Sequence, residues 1–338
     1  MRARVVSGMR PTGALHLGHY HGALKNWVQL QDAHDCFFLV ADWHALTTSS
    51  QHEDALERRV YDMVVDWLAA GIDPDRATLF IQSRLPEHAE LFTLLAMHTP
   101  MSWLERTPAY KDWQARCAEP GSQREPASYG FLGYPLLQAA DILLYRGTLV
   151  PVGEDQAPHV EITREVARRF NHRHGREVLP EPATLLTDTP RLPGLDGDKM
   201  SKTPGNGGHN AIAMRDPPEQ VTDKLRRMPT DPQRVRRDDP GEPARCPVWP
   251  LHQVYSDDST RELLAQGCRS AGIGCLDCKQ PLIDAIILQQ QPWHERAEAW
   301  LSQPKQLQWV VELGTERART VARQTLKDVR EAMGLAYR

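Results

Sequence analysis

The sequence predicts an α/β protein in which a parallel sheet covered by helices is followed by a smaller helical domain. Over residues 1–155, short apolar runs of β type alternate with amphipathic helical stretches, as in a parallel sheet whose faces carry helices. Glycine, proline, aspartate and threonine dominate residues 180–218, and the pattern is helical beyond them. A length of 338 residues with 41% hydrophobic side chains is enough to fill two cores.

The first domain contains four candidate strands and three strong candidate helices. The predicted strands are residues 5–7, 36–41, 78–82 and 148–152. One helix runs through residues 55–71, where apolar side chains form a single stripe at helical spacing and Gly71 follows as a natural C-terminal cap. The others run through residues 130–145 and 154–171. We interpret residues 180–218 as a mobile, functional loop.

The formal net charge of −4 argues against a protein that coats nucleic acid indiscriminately, because such binding depends on many contacts from lysine and arginine to phosphates. Any nucleic-acid site must be local. Basic residues cluster at 167–176 and 223–237, which fits either such a site or a solvated helix face. No run approaches the roughly 18 apolar residues of a membrane span, and the first residues lack a secretory signal, so we expect a cytoplasmic protein.

The first motif with chemical content is His16, Leu17, Gly18 and His19, where a strand ends and a helix opens. A helix start offers free N–H groups and positive dipole density to phosphates. Gly18 leaves room for a nucleotide base, and the two histidines can donate hydrogen bonds to an α-phosphate that gains charge in a transition state. A pair of ordinary surface histidines is the alternative for so short a motif.

The second motif is DGDKMSKT, residues 196–203, which places Lys199 and Lys202 three residues apart in the predicted loop. Such a loop can close over a ligand. The two lysines can neutralise β- and γ-phosphates as pyrophosphate leaves, and Ser201 with backbone amides can complete the cradle. A solvated basic loop is the alternative interpretation.

In this order, the two motifs resemble the HIGH and KMSKS motifs of class I aminoacyl-tRNA synthetases. The departure is Thr203, which replaces the final serine but keeps a hydroxyl. The stretches SGMRPTGALHLGH, ADWHALT, YPLLQAADILLY and VPVGEDQ resemble the tryptophanyl-tRNA synthetases over nearly the whole length. Tyrosyl-tRNA synthetases and other adenylyl transferases of the superfamily are rivals, but the QAAD and GEDQ contexts favour the tryptophan family.

The resemblance implies a domain organisation. Residues 1–195 are expected to form a Rossmann-type catalytic domain with a dimerisation segment at about 87–129, and residues 196–208 the mobile KMSKT loop. Residues 209–338 are expected to form an all-α anticodon-binding domain, whose last helix packs back on the catalytic domain.

The resemblance also implies roles for individual residues. The catalytic ones are His16, His19, Lys199 and Lys202. Those expected at ATP are Arg10, Pro11, Thr12, Gly18, His19, Gly153, Glu154, Asp155, Leu192, Lys199, Met200, Ser201, Lys202 and Thr203. Those expected at tryptophan are Asp141, His44, Tyr134, Gln138, Val150, Val152 and Gln156.

Asp141 corresponds to the carboxylate that accepts the indole N–H in the family. Phenylalanine has no ring donor and the tyrosine hydroxyl sits elsewhere, so a buried carboxylate left unpaired costs about 1 to 3 kcal/mol or more and rejects both. Gln138 departs from the family, which often has methionine there. A structural Asp141 that caps or pairs within the fold is the alternative.

The implied reaction joins L-tryptophan to tRNA(Trp) through tryptophanyl-adenylate, with ATP as substrate, Mg²⁺ on the phosphates and the 2′-hydroxyl of the terminal ribose as acceptor. A homodimer is the family expectation. The alternative of a different class is a non-catalytic, synthetase-like iron-sulfur protein that binds RNA, although the intact HLGH and KMSKT motifs weigh against it.

Four of the six cysteines form a third motif, because Cys246, Cys268, Cys275 and Cys278 are separated by 21, 6 and 2 residues. A reducing compartment opposes a disulfide framework, so the crowding indicates a metal centre holding tetrahedral Zn²⁺ or a [4Fe-4S] cluster. The stretch resembles that of tryptophanyl-tRNA synthetases that carry a [4Fe-4S] cluster, with a first interval one residue shorter. Zinc and four free thiols are the alternatives.

Overall fold

The computed structural model describes residues 2–47, 56–119, 121–122, 125–153, 157–186, 192–197, 200 and 210–337. Its centre is a parallel sheet with the order β3-β2-β1-β4-β5. The strands are β1 (Arg4–Met9), β2 (Asp35–Val40), β3 (Ala77–Ile81), β4 (Leu149–Val152) and β5 (Ala183–Leu186). The order runs outward in both directions from β1, as in a doubly wound sheet. The predicted fold class, a parallel sheet with helices and a helical C-terminal region, is confirmed.

The fifth strand corrects one sequence prediction. Residues 180–218 were expected to form a loop, but β5 (Ala183–Leu186) lies inside that range and pairs in parallel with β4. It is a run of only four partly exposed residues at the sheet edge, which leaves little hydrophobic pattern to detect. At the third strand, pairing ends at Ile81, and Gln82 begins a 3₁₀ turn.

Helices cover the sheet and continue to the C-terminus. In the first half they are α1 (Leu17–His19), a π-helical turn (Tyr20–Leu24), α2 (Lys25–Ala33), α3 (Asp42–Leu46), α4 (Leu56–Ala70), α5 (Glu87–Ala96), α6 (Met101–Glu105), α7 (Pro108–Cys117), α8 (Tyr129–Leu143) and α9 (Ala157–His174). The later ones are α10 (Pro218–Arg227), α11 (Trp249–Tyr255), α12 (Asp258–Arg269), α13 (Cys275–Leu301) and α14 (Pro304–Ala332). None of these helices is both long and apolar enough to cross a bilayer.

Two hydrophobic cores lie on opposite faces of the sheet, because successive strand residues point to opposite sides. On one face, the Trp27 ring of α2 stacks on Phe38 of β2 at a centroid distance of 4.3 Å and meets Trp67 of α4 edge-on. On the other face, Phe37 and Phe80 pack with α5, α8, α9 and α14. Both faces are therefore covered, as a parallel sheet requires.

The last helix, α14, lies directly against β3. A Cβ added at Gly314 would stand 1.9 Å from the backbone oxygen of Leu79, so this crossing requires a residue without a side chain. Farther along, Arg330 donates two hydrogen bonds of 2.6 Å to the carboxylate of Glu90 on α5. The C-terminal helix thereby contributes to the core around the sheet.

Replacing Gly314 by alanine is expected to lower the free energy of unfolding by about 3 kcal/mol, because α14 must move away from β3 to admit the methyl group. Urea unfolding measures the change. Gly22→Ala is the matched control, since its Cβ would meet no atom within 4 Å, and it should change stability by less than about 0.5 kcal/mol. Equal losses in the two variants would contradict the close helix-to-strand contact.

Candidate active site

Polar side chains gather at the carboxyl edge of the sheet. The turn that follows β1 carries Arg10 and leads to the HLGH motif, His44 lies on the helix that follows β2, and Gln82 directly follows β3. Gly153 directly follows β4. Ligands of doubly wound proteins bind at this edge, where the strand order changes direction. The candidate site therefore lies between the ends of β1 and β4.

The HLGH motif holds its two histidines together at the start of α1. His16 precedes the helix in extended backbone, and its ring centroid lies 3.7 Å from that of His19. The backbone N–H of His16 donates to Nδ1 of His19 at 3.2 Å. His16 is buried and His19 is partly exposed. The arrangement places two imidazoles beside the free N–H groups of a helix start, where an anion is stabilised.

Gly18 of the HLGH motif lies close to the second motif. A Cβ at this position would stand 3.0 Å from the ring of His16 and 3.7 Å from the Cβ of Met200, which belongs to the KMSKT motif. The backbone N–H of Met200 donates to the carbonyl of Leu192 at 3.4 Å, and both of these side chains are buried. The structure thus brings Gly18, Met200 and Leu192 together, three of the residues expected at ATP.

The chain beyond the second motif returns to the first. The backbone N–H of Leu17 donates to the carbonyl of Ile212 at 3.0 Å, in a bridge between the HLGH motif and residues 212–214. Arg215 then donates to the carboxylate of Asp66 on α4 at 2.6 Å. Burial raises the pKa of Asp66 to about 6, although Arg215 opposes this shift. The ion pair between Arg215 and Asp66 therefore anchors the segment that follows the second motif.

The remaining residues expected at ATP fall into two groups. Arg10, Pro11 and Thr12 follow β1, and the backbone N–H of Thr12 donates to the carbonyl of Arg10 at 2.9 Å. The others, together with the tryptophan-site residue Gln156, lie outside the described residues: Glu154, Asp155, Gln156, Lys199, Ser201, Lys202 and Thr203.

Asp141 of α8 is buried at the centre of a hydrogen-bonded group. His44 Nε2 donates to Oδ2 at 2.8 Å, and His88 Nδ1 donates to Oδ1 at 2.6 Å. The amide nitrogen of Gln82 lies 2.8 Å from Oδ1 and 3.0 Å from Oδ2. Burial alone would raise the pKa of Asp141, but His88 and His44 outweigh it and hold this pKa well below its usual range. The carboxyl group is therefore an anion that accepts hydrogen bonds.

Two further residues of α8 share the face of Asp141, because Tyr134 and Gln138 precede it by two helical turns and one turn. The Tyr134 ring meets His44 edge-on with centroids 6.4 Å apart, and its hydroxyl lies 2.9 Å from Nε2 of His159. Gln138 is half-buried on the same face. The structure thus places Tyr134, Gln138 and His44 around one carboxylate.

The two valines expected at tryptophan differ in their surroundings. Val150 is buried in the second core, where its side chain packs with α8 and α9. Val152, at the carboxyl end of β4, is half-buried. Only the second of them lies at the strand end that faces the site.

Known proteins resemble the chain along nearly its whole length. The family profile of the class I tRNA synthetases (W and Y) matches residues 1–289. The tryptophan–tRNA ligase of Ralstonia nicotianae is 51% identical, with 99% of each chain covered. That of Thermotoga maritima is 45% identical, with 99% of this chain and 100% of the relative covered. The chain belongs to the class I tRNA synthetases (W and Y).

A solved member of the family has the same fold. The tryptophanyl-tRNA synthetase from Campylobacter jejuni, complexed with ADP and tryptophan, is 31% identical and matches with a TM-score of 0.85. The match covers 98% of this chain and 100% of the other. The doubly wound sheet and the helical C-terminal region are therefore those of a class I synthetase.

Sequence reasoning missed three residues that contact the site of this synthetase. Gln82 directly follows β3, and a polar residue at the carboxyl end of a parallel strand is a signal that could have revealed it. Tyr145 lies four residues beyond Asp141 in the turn that follows α8, and its hydroxyl contacts His88 at 2.6 Å. His88 gives no local signal, because its contact with Asp141 depends on how α5 packs against α8.

The four cysteines of the third motif are neighbours in the helical region. Cys246 precedes α11, Cys268 is in the last turn of α12, and Cys275 and Cys278 open α13. Burial raises the pKa of the Cys246 and Cys268 thiols and that of Cys278 to about 12, and the other cysteines of the group add to each shift. Within the described ranges, however, no three His, Cys, Asp or Glu side chains are arranged to hold a metal ion. The thiols are close together without forming a preformed tetrahedral site.

The helical region also touches the residues that follow HLGH. Nε2 of His21 lies 2.9 Å from the hydroxyl of Tyr255, which donates to Oε1 of Gln289 at 2.9 Å. The Tyr20 ring packs on Trp293 with centroids 4.3 Å apart. The π-helical turn that extends the catalytic motif is therefore fixed by α11 and α13.

Acid is expected to destabilise the protein through His21. Burial, with the nearby charge of Lys25, lowers the pKa of His21 to about 4 in the folded state, whereas an unfolded histidine titrates near 6.5. The unfolded chain therefore binds more protons between these values, so the contribution of His21 to stability is complete above pH 6.5 and is lost as the pH falls towards 4. Urea unfolding at pH 6.5 and 4.5 should show about 1 to 3 kcal/mol more loss in the wild type than in His21→Gln. Parallel pH profiles would contradict a buried neutral His21.

Proposed function

We propose that the protein is a tryptophan–tRNA ligase, which converts ATP, L-tryptophan and tRNA(Trp) to tryptophanyl-tRNA, AMP and diphosphate. The observation that carries the proposal is the buried, anionic carboxylate of Asp141, which accepts hydrogen bonds from His44 and His88. An indole N–H can donate a further hydrogen bond to this acceptor, whereas a phenylalanine ring offers no donor to it. The relatives named as tryptophan–tRNA ligases support the same activity.

In the first step, the tryptophan carboxylate attacks the α-phosphorus of ATP in line, and the bond to the oxygen of the leaving pyrophosphate breaks. Charge grows on the α-phosphate and on the leaving group, so position and positive charge are what the protein must supply. His16 and His19 stabilise the α-phosphate, and Lys199 and Lys202 neutralise the pyrophosphate. Mg²⁺ bound to the phosphates supplies further positive charge.

In the second step, the 2′-hydroxyl of the terminal tRNA ribose attacks the carbonyl carbon of tryptophanyl-adenylate. The bond from this carbon to the phosphate oxygen breaks, and AMP leaves with the electron pair. Neither step requires a protein nucleophile, because the substrates carry every reacting atom. Because translation consumes the charged tRNA, we propose that the enzyme acts in the cytoplasm.

The helical region, residues 209–338, is the proposed binding site for the tRNA anticodon. Four exposed arginines lie near its start as two adjacent pairs: Arg226 with Arg227, and Arg236 with Arg237. A groove of about 880 Å³ between α11 and α12 is lined by Trp249, Gln253, Arg261 and Arg269, among others. Aromatic rings and guanidinium planes stack on unpaired bases, and arginines contact phosphates. The basic residues and the groove together suit a single-stranded RNA loop.

Charging of tRNA tests the proposal directly. Purified protein with ATP and radiolabelled tryptophan should form acid-precipitable tRNA(Trp) and leave tRNA(Tyr) unlabelled. Binding of tRNA(Trp) without charging or adenylate formation would instead favour the alternative, a non-catalytic RNA-binding protein.

For the four cysteines we propose a [4Fe-4S] cluster, with Zn²⁺ as the alternative ligand. Four thiolates around such a core leave a net negative charge, and two buried cations lie beside them. Burial raises the pKa of Cys268, and the charge of Arg234 opposes this shift. Burial lowers the pKa of Lys279, three of the cysteines oppose that shift, and its Nζ donates to the carbonyl of Met228 at 2.5 Å. The Nε of Arg234 is buried and has no hydrogen-bond partner among the described residues. Such an orphaned donor fits a group bound at the cysteines.

A cluster of this kind is structural, because aminoacylation transfers no electrons. Protein purified without oxygen should contain about four iron and four sulfide per chain, and Cys275→Ser should lose them. One zinc per chain would favour the alternative metal, and absence of both would leave four free thiols.

We also propose that the enzyme is a homodimer that uses residues 87–129. Met97 and Met101 of this segment are 65% and 62% exposed, and Tyr129 at its end is 70% exposed. A second chain that covers this segment would remove these exposed apolar side chains from water. Light scattering coupled to gel filtration should give twice the 38.3 kDa of one chain.

A further inference from the structure

The hydrogen bonds around Asp141 separate its two oxygens. Oδ1 accepts a hydrogen bond of 2.6 Å from His88 Nδ1 and one of 2.8 Å from the Gln82 amide, and both donor residues are fully buried. Oδ2 receives His44 Nε2 at 2.8 Å and a longer contact of 3.0 Å from the same Gln82 nitrogen. A carboxylate oxygen has two lone pairs, so buried donors saturate Oδ1. Oδ2, beside His44, shares the Gln82 nitrogen at the longer distance, so it keeps the greater capacity to accept a further donor.

The hydrogen bonds also fix the protonation of His88. Because anionic Asp141 can only accept, Nδ1 of His88 must carry a proton. The hydroxyl of Tyr145 lies 2.6 Å from Nε2 on the other side of the ring. Burial keeps the phenol protonated by raising the pKa of Tyr145 well above its usual value. The Tyr145 hydroxyl and the Asp141 carboxylate therefore hold the His88 ring at its two nitrogens.

We propose that His88, oriented by Tyr145, is a positioning residue that holds Oδ1 of Asp141 and so keeps Oδ2 directed at the indole N–H. The inference rests on the proposed function and adds a determinant of tryptophan specificity to it. Rotation of the His88 ring would break two hydrogen bonds in a fully buried place, so its orientation is maintained without a ligand.

Helix α5, which carries His88, also contacts α14 through ion pairs. Glu87, the preceding residue, accepts a hydrogen bond of 3.3 Å from Arg323 and lies 3.9 Å from Arg319, both on α14. These contacts fix the first turn of α5 while His88 points to Asp141. Removal of the His88 ring should therefore leave the backbone in place and release the carboxylate, which can then turn away or take up a proton.

A substrate pair that differs in the ring N–H tests the inference. The analogue of tryptophan in which sulfur replaces the indole N–H has nearly the same shape but no donor. The measurement is the ratio of kcat/KM for tryptophan to that for the analogue in ATP–pyrophosphate exchange. His88→Leu should lower the ratio about ten- to a hundredfold, through KM for tryptophan and with KM for ATP unchanged. A structural role alone would weaken both substrates equally.

Two variants and one control sharpen the test. His88→Asn, whose amide N–H stands where Nδ1–H was, should keep the ratio within about threefold of the wild type. Tyr145→Phe should lower it less than His88→Leu does. His98→Leu is the matched control, since His98 is a buried histidine beyond the other end of α5 whose hydrogen-bond partner is His174 and not Asp141.

The outcomes distinguish the inference from the proposed function. An unchanged ratio in folded His88→Leu overturns the inference, and if this variant does not fold, an unchanged ratio in Tyr145→Phe overturns it equally. A wild-type protein that forms no adenylate with tryptophan overturns the proposed function itself. A lower ratio in His88→Leu with the ratio retained in His88→Asn supports the inference.

Discussion

Asp141→Asn is expected to lower kcat/KM for tryptophan by about a hundredfold or more in ATP–pyrophosphate exchange, mainly by raising KM. The asparagine keeps one acceptor oxygen but places an NH₂ group against donors of His44, Gln82 or His88. The variant therefore loses the charge that receives the indole N–H and creates a contact between two donors. Truncating one member of a buried, charged hydrogen-bonded group costs about 2 to 5 kcal/mol.

Asp231→Asn is the matched control for this variant. Asp231 is also a buried carboxylate, but it lies in the helical region, where hydrogen bonds from Arg245 lower its pKa to about 2. Its replacement should reduce stability and leave KM for tryptophan within about twofold of the wild type. If KM for tryptophan in Asp141→Asn also stayed within about twofold of the wild type, Asp141 would not bind the indole ring.

His19→Ala is expected to lower kcat about a hundredfold with little change in the KM values. In the proposed mechanism its imidazole, whose ring centroid lies 3.7 Å from that of His16, stabilises charge that develops on the α-phosphate only as the reaction proceeds. Loss of an interaction made in the transition state lowers kcat, and removal of one such donor typically costs 10²- to 10³-fold, or about 3 kcal/mol.

His34→Ala is a suitable control for His19→Ala. His34 is partly buried at the end of α2, and its Nδ1 lies 3.2 Å from the carbonyl of Leu30, far along the helix from the motif. Single-turnover measurement of adenylate formation separates chemistry from product release. A raised KM for ATP with unchanged kcat in His19→Ala would assign this histidine to ground-state binding only.

Local pattern was enough to predict most of the sheet. The four strand predictions agree with β1 to β4 to within a few residues at each end, because buried β-type runs stand between turn residues. The edge strand β5 (Ala183–Leu186) was missed, since four partly exposed residues resemble the surrounding loop composition. Helix α4 was predictable because its apolar residues form one stripe that meets the core.

The site was harder to predict from the sequence than the fold. The histidines of HLGH lie three residues apart, at the N-cap and the third position of α1, so their proximity follows from local chain geometry. The hydrogen bond between His88 and Asp141 joins residues that are 53 positions apart in the sequence, and the one between Tyr145 and His88 joins residues 57 positions apart. Such contacts arise from the packing of α5 on α8, which no local periodicity encodes. Resemblance to a family pointed to Asp141, and only the structure revealed what holds it.

The most direct test of the proposed function is amino-acid-dependent ATP–pyrophosphate exchange, measured with tryptophan, tyrosine and phenylalanine in parallel. If Asp141 receives the indole N–H, tryptophan should support exchange with a kcat/KM about a thousandfold or more above that of the other two, since a buried acceptor rejects substrates that lack its donor. Comparable exchange with tyrosine, or none with any amino acid, would contradict the assignment of this site to tryptophan activation.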